Sequence, residues 1–428
     1  MLNANLGPPA QLSPATTRLW GHAPSEPACR LCGARLQRTL LDLGDIPLAN
    51  RTVAADAPDD PRYRLHARIC DNCTLVQVAD VAEPETVAAP RPHHPAPSAA
   101  CLTQTRRHAE VLRKRLHLEA SSLVIEIGSE DSPLLRHFKA AAIPALGVPL
   151  GLIQPAGEPA HPARFTLFNT ETAMQLAVRH GCADLVIAND VMPFAPDLFD
   201  FAAGLASILR PNGILTLQVP HLLSLVQKMQ FDAFRHDAYT YLSLRVLEHV
   251  LRSVGLRVFD AERLPDQGGS LRIQACTMVA PYPTRPGLKA VRLAEGFGEH
   301  EQVDFYTGFS ERVAAATDEI REFLQNRRTA GRRVAAYGAI TRGSTLLNCC
   351  GITTQEITCV ADLDPAKHGR HLPGSRIPIV PVETLIAEAP DDLIILPWPR
   401  AAEIAPKLLP LRQQGTSLWT AIPRITRV

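Results

Sequence analysis

Four of the ten cysteines fall into two C-x-x-C pairs, Cys29-Arg30-Leu31-Cys32 and Cys70-Asp71-Asn72-Cys73. Two tight turns that each present two thiolates suit tetrahedral Zn²⁺ with every position filled by protein, so such a metal is expected to be structural. It would supply folding energy to a module too small for a large core of its own. The long loop between the pairs does not count against the site, because loop-closure entropy grows slowly with length. Unbound thiols and a redox pair are the competing readings. Neither accounts for two pairs, and redox chemistry calls for one pair in a thioredoxin-like setting. Cys101, Cys182, Cys276, Cys349, Cys350 and Cys359 stand mostly beside apolar residues and read as inert thiols.

Three further segments carry groups that can do chemistry. VIEIGSEDSPLL sets Glu126, Gly128 and Asp131 in a strand, a loop and the start of a helix. Backbone N–H groups there can hold a ligand, with the two acids as acceptors, although an ordinary strand-to-helix turn uses the same residue types. Arg235-His236-Asp237, followed by Tyr239 and Tyr241, places a histidine beside a carboxylate, a pair able to move protons. The alternatives are a hydrogen-bonded loop histidine and a core tyrosine. GAITRGST at 338–345 is one residue away from a phosphate loop. Ser344 replaces the lysine and no magnesium-binding partner is evident, so nucleotide hydrolysis is excluded. A glycine turn opening a helix can still hold a diphosphate, through Gly338 and its neighbours with Arg342 beside them.

These groups need elements to position them. Residues 1–27, rich in Pro, Ala and Thr, read as a flexible leader, 28–80 as the cysteine module, and 81–101 as a Pro/Ala/His linker. From 102 to 280, short apolar runs (LVIEIG, IPALGV, ADLVIAND, GILTLQVP, GLRVFDAERL) alternate with helix-length segments, the pattern of a doubly wound α/β sheet. A helical connection over 281–328 leads to a second α/β unit, 329–428, with strands predicted at RRVAAYGA, ITCVADLD and DDLIILPW.

A formal net charge of +1 gives no field to collect nucleic acid or an anionic membrane. No apolar run approaches a membrane span, and the first residues lack a signal-peptide core, so a cytoplasmic protein without nucleic-acid or membrane partners is expected.

LLDLGDIPLAN between the cysteine pairs and TLVQVAD after them, taken with the cysteines, resemble the zinc module of the S-adenosylmethionine-dependent sugar C-methyltransferases. The resemblance runs on through VIEIGSEDSPLL, DLVIANDV, LRPNGILTLQVPHL, FDAFRHDAYTYLSL, QGGSLRI, RVAAYGAITRGSTLLNCCGI and VADLDPAKHGRHLPGSRIPI, in the family's order. It implies a zinc-binding N-terminal module, a central class I methyltransferase Rossmann-like domain and a C-terminal Rossmann-like α/β domain. It also implies S-adenosylmethionine as cofactor and a nucleotide-linked keto-deoxysugar as substrate. By the same resemblance Glu126, Gly128, Asp131 and Asn189 serve the cofactor, Gly269, Ser270, Gly338 and Arg342 the substrate, and His236, Asp237 and Tyr241 the chemistry.

The chain departs from the family's pattern at several of these places. Glu130 replaces Asn and Ser132 replaces Gly, which implies a tighter loop, because Ser does not take a positive φ cheaply. Pro149 stands where a carboxylate would hold the ribose hydroxyls, and Phe194 stands where the family has His. The Tyr-His-Glu-His segment has become Arg235-His236-Asp237-Ala238, and His-Gly-Gly-Ser begins instead with Gln267. A Tyr-rich stretch is replaced by RPHHPAPSAA, from which His94 can supply an imidazole. Tyr239 can donate to an enolate. Two expectations follow: an S-adenosylmethionine-dependent C-methyltransferase or diverged relative, and, as its rival, a catalytically silent homologue that binds a partner.

Overall fold

The computed structural model describes residues 27–78, 99–129, 131–150, 168–296 and 306–428. The leader except for Pro27, most of the linker including His94, and Glu130 lie outside the described residues.

The cysteine module is built on β1 (Arg38–Pro47), β2 (Arg62–Ile69) and β3 (Val76–Val78). The central unit contributes β4 (Val124–Ile127), β5 (Ala145–Val148), β6 (Ala183–Asn189), β7 (Leu209–Pro220), β8 (Thr240–Tyr241), β9 (Leu256–Leu264) and β10 (Ser270–Thr277). Six of these form one sheet in the order β5-β4-β6-β7-β10-β9. The first four run parallel, and β10 runs antiparallel to both β7 and β9. β4 is buried along its whole length, as expected of a strand covered on both faces.

Local chemistry sets the helices around this sheet. Ser132 caps Pro133–Ala140 by accepting from Leu135 N, with Pro133 in the first turn. Asn169 and Thr172 make a reciprocal capping box at Thr170–His180, and Asp197 accepts from Phe199 N and Asp200 N at Leu198–Ser207.

The last unit holds β11 (Val334–Tyr337), β12 (Val360–Ala361), β13 (Ile379–Val380), β14 (Asp392–Ile395), β15 (Ser417–Thr420) and β16 (Thr426–Arg427), in the order β13-β12-β11-β14-β15-β16. All neighbours are parallel except β16. This is a second doubly wound sheet, with strand order reversing at β11.

The structure divides the chain differently from its composition in two places. β8 pairs antiparallel with β3 and completes the sheet β1-β2-β3-β8, so two residues of the central segment belong to the cysteine module's sheet. The segment 281–328 is shared out as well. Pro286–Ala294 docks on β9 through Arg285 N to Phe259 O, whereas Phe309–Thr329 packs on β1 and β11. In each case an apolar helix face chose its sheet, which composition does not reveal.

The cysteine module lies between the other two units. Its turns, with Cys29, Leu31, Leu36, Cys70 and Leu75, share a core with the central sheet, while Leu41, Ile46, Leu65 and Val76 share one with Val334, Ala336 and Leu347 of the last unit. Backbone bonds between Val53 and His371 in both directions, and Asp60 on Gly374 N and Arg376, fasten its long loop to that last unit.

Each C-x-x-C segment folds back on itself, Gly33 N to Cys29 O and Thr74 N to Cys70 O. Cys29 Sγ lies 3.5 Å from Cys73 Sγ and Cys32 Sγ 3.5 Å from Cys70 Sγ, and all four sulfurs fall within 4.8 Å of one another. A tetrahedron with Zn–S bonds of about 2.3 Å has edges of about 3.8 Å, so the donor set fits zinc. Gln77, fully buried, donates to Cys29 Sγ at 3.2 Å and accepts from Arg30 N at 2.9 Å, which orients one thiolate.

Because Cys73 leads directly into β3 and β3 holds β8, loss of the metal should be felt in the central unit. Cys73→Ser is expected to abolish zinc retention, lower unfolding stability by several kcal/mol, and speed amide exchange at Val78, whose N–H donates to Tyr239 O at 3.1 Å. Metal analysis, denaturant melts and hydrogen exchange check this.

Candidate active site

The carboxyl ends of β4, β6 and β7 form one edge of the central sheet, and β10 begins beside them, with Ser270 opposite Pro220 and Arg272 opposite Gln218. Gly128 follows β4 with φ +105°, and a side chain there would come within 2.2 Å of Val191 Cγ1, so only glycine fits. Its N–H donates to Val148 O at 2.7 Å, which seats Pro149 directly after β5.

Ser132 does not meet the conformational demand expected of it. Its φ is −77°, and its hydroxyl donates to Glu126 Oε2 while capping the next helix. Glu126 is buried, and burial, only partly offset by Ser132, pushes its carboxyl up to about 7. Asp131 turns outward instead, paired with Arg136 at 2.9 Å.

Asn189 ends β6 and Asp190 follows it. Asn189 Oδ1 and Asp190 Oδ1 are buried and have no hydrogen-bond partner among the described residues. Asp190 has a φ of 55° and donates its N–H to Gln218 O at 2.8 Å. Burial first, and then the charge of Asp266, push its carboxyl up to about 7 against the pull of Arg272.

The segment 235–241 lies against the cysteine module, and its parts are not brought together as a proton relay. His236 Nε2 donates to Tyr63 O at 3.0 Å, and burial holds the ring below its ordinary pKa, so it is a neutral donor to the module's backbone. Asp237 is engaged through both oxygens by Arg235 Nε and NH2. The Arg235 guanidinium also stands 4.9 Å from the ring centre of Phe194. Tyr241 accepts from Arg235 N at 2.9 Å, lies in β8 and is buried, which raises its pKa. Tyr239 lies under Arg30, 5.0 Å from its ring centre. The expected proton-handling partners, His236 with Asp237, therefore face different neighbours.

Gly269 and Ser270 open β10. Gly269 has φ +136°, Ser224 would meet any side chain placed there, and Ser270 Oγ donates to Asp266 O. Gly338 is required by Pro397, 2.6 Å from where a Cβ would stand, and the N–H of Ala339 is taken by Asp362 at 2.7 Å. Arg342 corrects its expected use as a free neighbour of a diphosphate. It makes a two-point pair with Asp232 (2.9 and 2.8 Å), donates to Gln230 Oε1 and Gln267 O, and stacks on Trp398. Trp398 Nε1 also donates to Asp232. Arg342 therefore joins the last unit to the central one.

Sequence reasoning missed three groups at this edge. Arg272 donates to Gln218 Oε1 (2.7 Å), Glu262 Oε1 (3.1 Å) and His108 Nδ1 (3.4 Å). His108, on the helix Ala99–Leu116, is buried and pushed down to about 3 by burial and the charges of Arg272 and Arg115. Asp190 had a visible signal, a carboxylate directly after an apolar strand. His108 and Arg272 had none, because their meeting depends on how that helix docks on β10.

Sequence comparison adds independent findings. Three family models match in succession: a zinc binding domain over residues 29–87, a methyltransferase domain over 102–261, and a C-methyltransferase C-terminal domain over 265–423. The C-methyltransferase NovU of Streptomyces niveus is 30% identical over 405 residues, 92% of this chain and 95% of that protein. The chain belongs to the S-adenosylmethionine-dependent C-methyltransferase family.

Solved structures similar to part of this C-methyltransferase family member include a magnesium protoporphyrin IX methyltransferase from Synechocystis PCC 6803. It is 19% identical with a TM-score of 0.29, over 41% of this chain and 82% of that one. A methyltransferase from Archaeoglobus fulgidus is 13% identical with a TM-score of 0.29, over 40% and 93%. At those values the likenesses add nothing to the assignment. Among the described residues no helix is long and apolar enough to cross a membrane.

The raised carboxyl of Glu126 has a stability signature with a definite sign. In the unfolded chain it ionises in the ordinary carboxylate range, but in the folded protein it keeps its proton to about pH 7. Stability is therefore full at low pH, falls as pH rises toward 7 and is level above. Between pH 5.5 and 8, Glu126→Gln is expected to remove roughly 2 kcal/mol of this loss from the ligand-free protein. Urea melts of both proteins at the two pH values measure it.

Proposed function

We propose that this C-methyltransferase methylates a carbon next to the keto group of a nucleotide-linked keto-deoxysugar. The observation that carries the reading is the end-to-end match of the zinc, methyltransferase and C-terminal parts in the family's order. The unpartnered buried oxygens at the carboxyl edge of the central sheet support it.

Those residues fit S-adenosylmethionine at its methionyl end. Glu126 and the free Oδ1 of Asn189 are acceptors for an ammonium group, and Gly128 lets the backbone approach closely. The cofactor supplies an electrophilic sulfonium methyl. Pro149 offers the ribose hydroxyls no side-chain acceptor, so the methionyl contacts must carry more of the affinity. Gly269 and Ser270 border the sugar in this reading. Since Arg342 is committed to Asp232, the donors left for a diphosphate are the first-turn amides of Thr341–Cys349, a helix with no side-chain cap.

Titration calorimetry with S-adenosylmethionine and S-adenosylhomocysteine tests the reading. Both are expected to bind, with Glu126→Gln and Asn189→Ala each weakening binding about tenfold or more, that is by about 1.4 kcal/mol or more. Absence of heat and of a thermal shift at millimolar ligand would overturn the enzyme and favour a silent, partner-binding homologue.

A further inference from the structure

The carboxyl edge of the central sheet contains an acid–base set that the segment 235–241 does not contribute to. We propose that Asp190 is the base that takes the carbon-bound proton in this protein, with the Nε2–H of His108 as the donor to the enolate oxygen that results. This rests on the C-methyltransfer reading above.

The geometry supports each role. Asp190 stands at the end of a parallel strand, where α/β sheets bind their ligands, and its Oδ1 is buried with no partner among the described residues. His108 Nδ1 accepts from Arg272, which has only donors to give, so a neutral ring carries its proton on Nε2. That Nε2 is itself buried and has no partner among the described residues. One open acceptor and one open donor are thus linked through Arg272, which holds His108 directly and, at 2.7 Å, Gln218, whose carbonyl accepts from the Asp190 N–H. Buried polar atoms left unsatisfied are costly, so a pair of them at a strand edge calls for a ligand. By contrast Asp237 is closed by Arg235, and His236 by Tyr63.

In the step itself, the Asp190 carboxylate accepts the proton from the carbon next to the keto group, and the C–H electron pair moves into the enolate, whose oxygen the His108 N–H stabilises. With S-adenosylmethionine bound, its sulfonium methyl would be the electrophile for that pair, and the S–CH₃ pair would stay on sulfur. Asp190 afterwards gives its proton to solvent. The charges that act on Asp190 are Asp266 after β9 and Arg272 on β10, and Arg272 has Glu262 on β9 and His108 on the covering helix as its own partners. Gln104 on that same helix holds Asp266 at 2.9 Å. With a carboxyl near 7, exchange should fall about tenfold for each pH unit below that value.

Deuterium exchange without cofactor tests this. The protein is incubated in D₂O with a thymidine-diphosphate 4-keto-6-deoxyhexose as probe, and loss of the signal of the hydrogen next to the keto group is followed by NMR. Wild type is expected to exchange it, faster as pH rises through about 7, and Asp190→Asn to be at least about a hundredfold slower. Asparagine tolerates the left-handed backbone of this position and removes a carboxylate whose ionisation burial opposes, so Asp190→Asn should melt no lower than wild type and keep its affinity for S-adenosylhomocysteine. His108→Phe should slow exchange about tenfold or more. If Asp190→Asn exchanges at the wild-type rate, or loses S-adenosylhomocysteine along with exchange, the assignment of the base is overturned and C-methyl transfer stands. If wild type does not exchange the probe at all, the assignment and the proposed substrate class fall together.

Discussion

The pairing of Val76 and Gln77 with Tyr241 and Thr240 is the joint on which the arrangement of the three units depends. It is only two residues long, far too short to persist alone. It persists because both sides are held from elsewhere. On one side the four sulfurs fix the turn at Cys70–Cys73, Thr74 follows with φ 62°, and β3 starts two residues later. On the other, Phe234 and Tyr241 stack at 4.3 Å between ring centres in the core shared with the last unit. The metal thus acts on the central unit through backbone register, with Gln77 in both the sulfur shell and the ladder. A zinc ion with no open coordination position still has a say in where the segment 231–239 lies.

At the sheet's carboxyl edge the physical character changes. Elsewhere a fully buried carboxylate such as Asp392 is matched, in its case by Arg332 at 2.6 Å. Here burial pushes the carboxyls of Glu126 and Asp190 up to about 7, and Asn189 and Asp190 carry open hydrogen-bonding oxygens. Perturbed acids and unmet donors concentrated at one place are what a site poised to receive a cation and a polar substrate looks like, and they cost the ligand-free fold stability.

What was legible in the sequence follows a physical divide. The zinc turns could be read because C-x-x-C spacing is a local, nearly covalent constraint, and the strand-loop-helix around Gly128 because a period change and a glycine mark it. Ser132 departs from expectation: the loop does not ask it for a positive φ but uses it as a helix cap and as a donor to Glu126. Arg342 was visible as a charge at a glycine turn. Its commitment to Asp232, far away in the sequence, arises only when two sheets dock. The assignment of β8 to the cysteine module's sheet was likewise invisible, since Thr240–Tyr241 has no signature of its own and takes its partner from tertiary packing.

Phe194, Arg235 and Asp237 act as a group. In space they meet, ring under guanidinium and guanidinium on carboxylate. Each makes sense only beside the others: a tyrosine at 235 would leave Asp237 without its cation, and a histidine at 194 would face the guanidinium with no ring for it to stack on in the same way. The three side chains therefore form one interlocked group. A single exchange at any of them strands its neighbour, so the three positions are expected to tolerate joint replacement better than replacement one at a time.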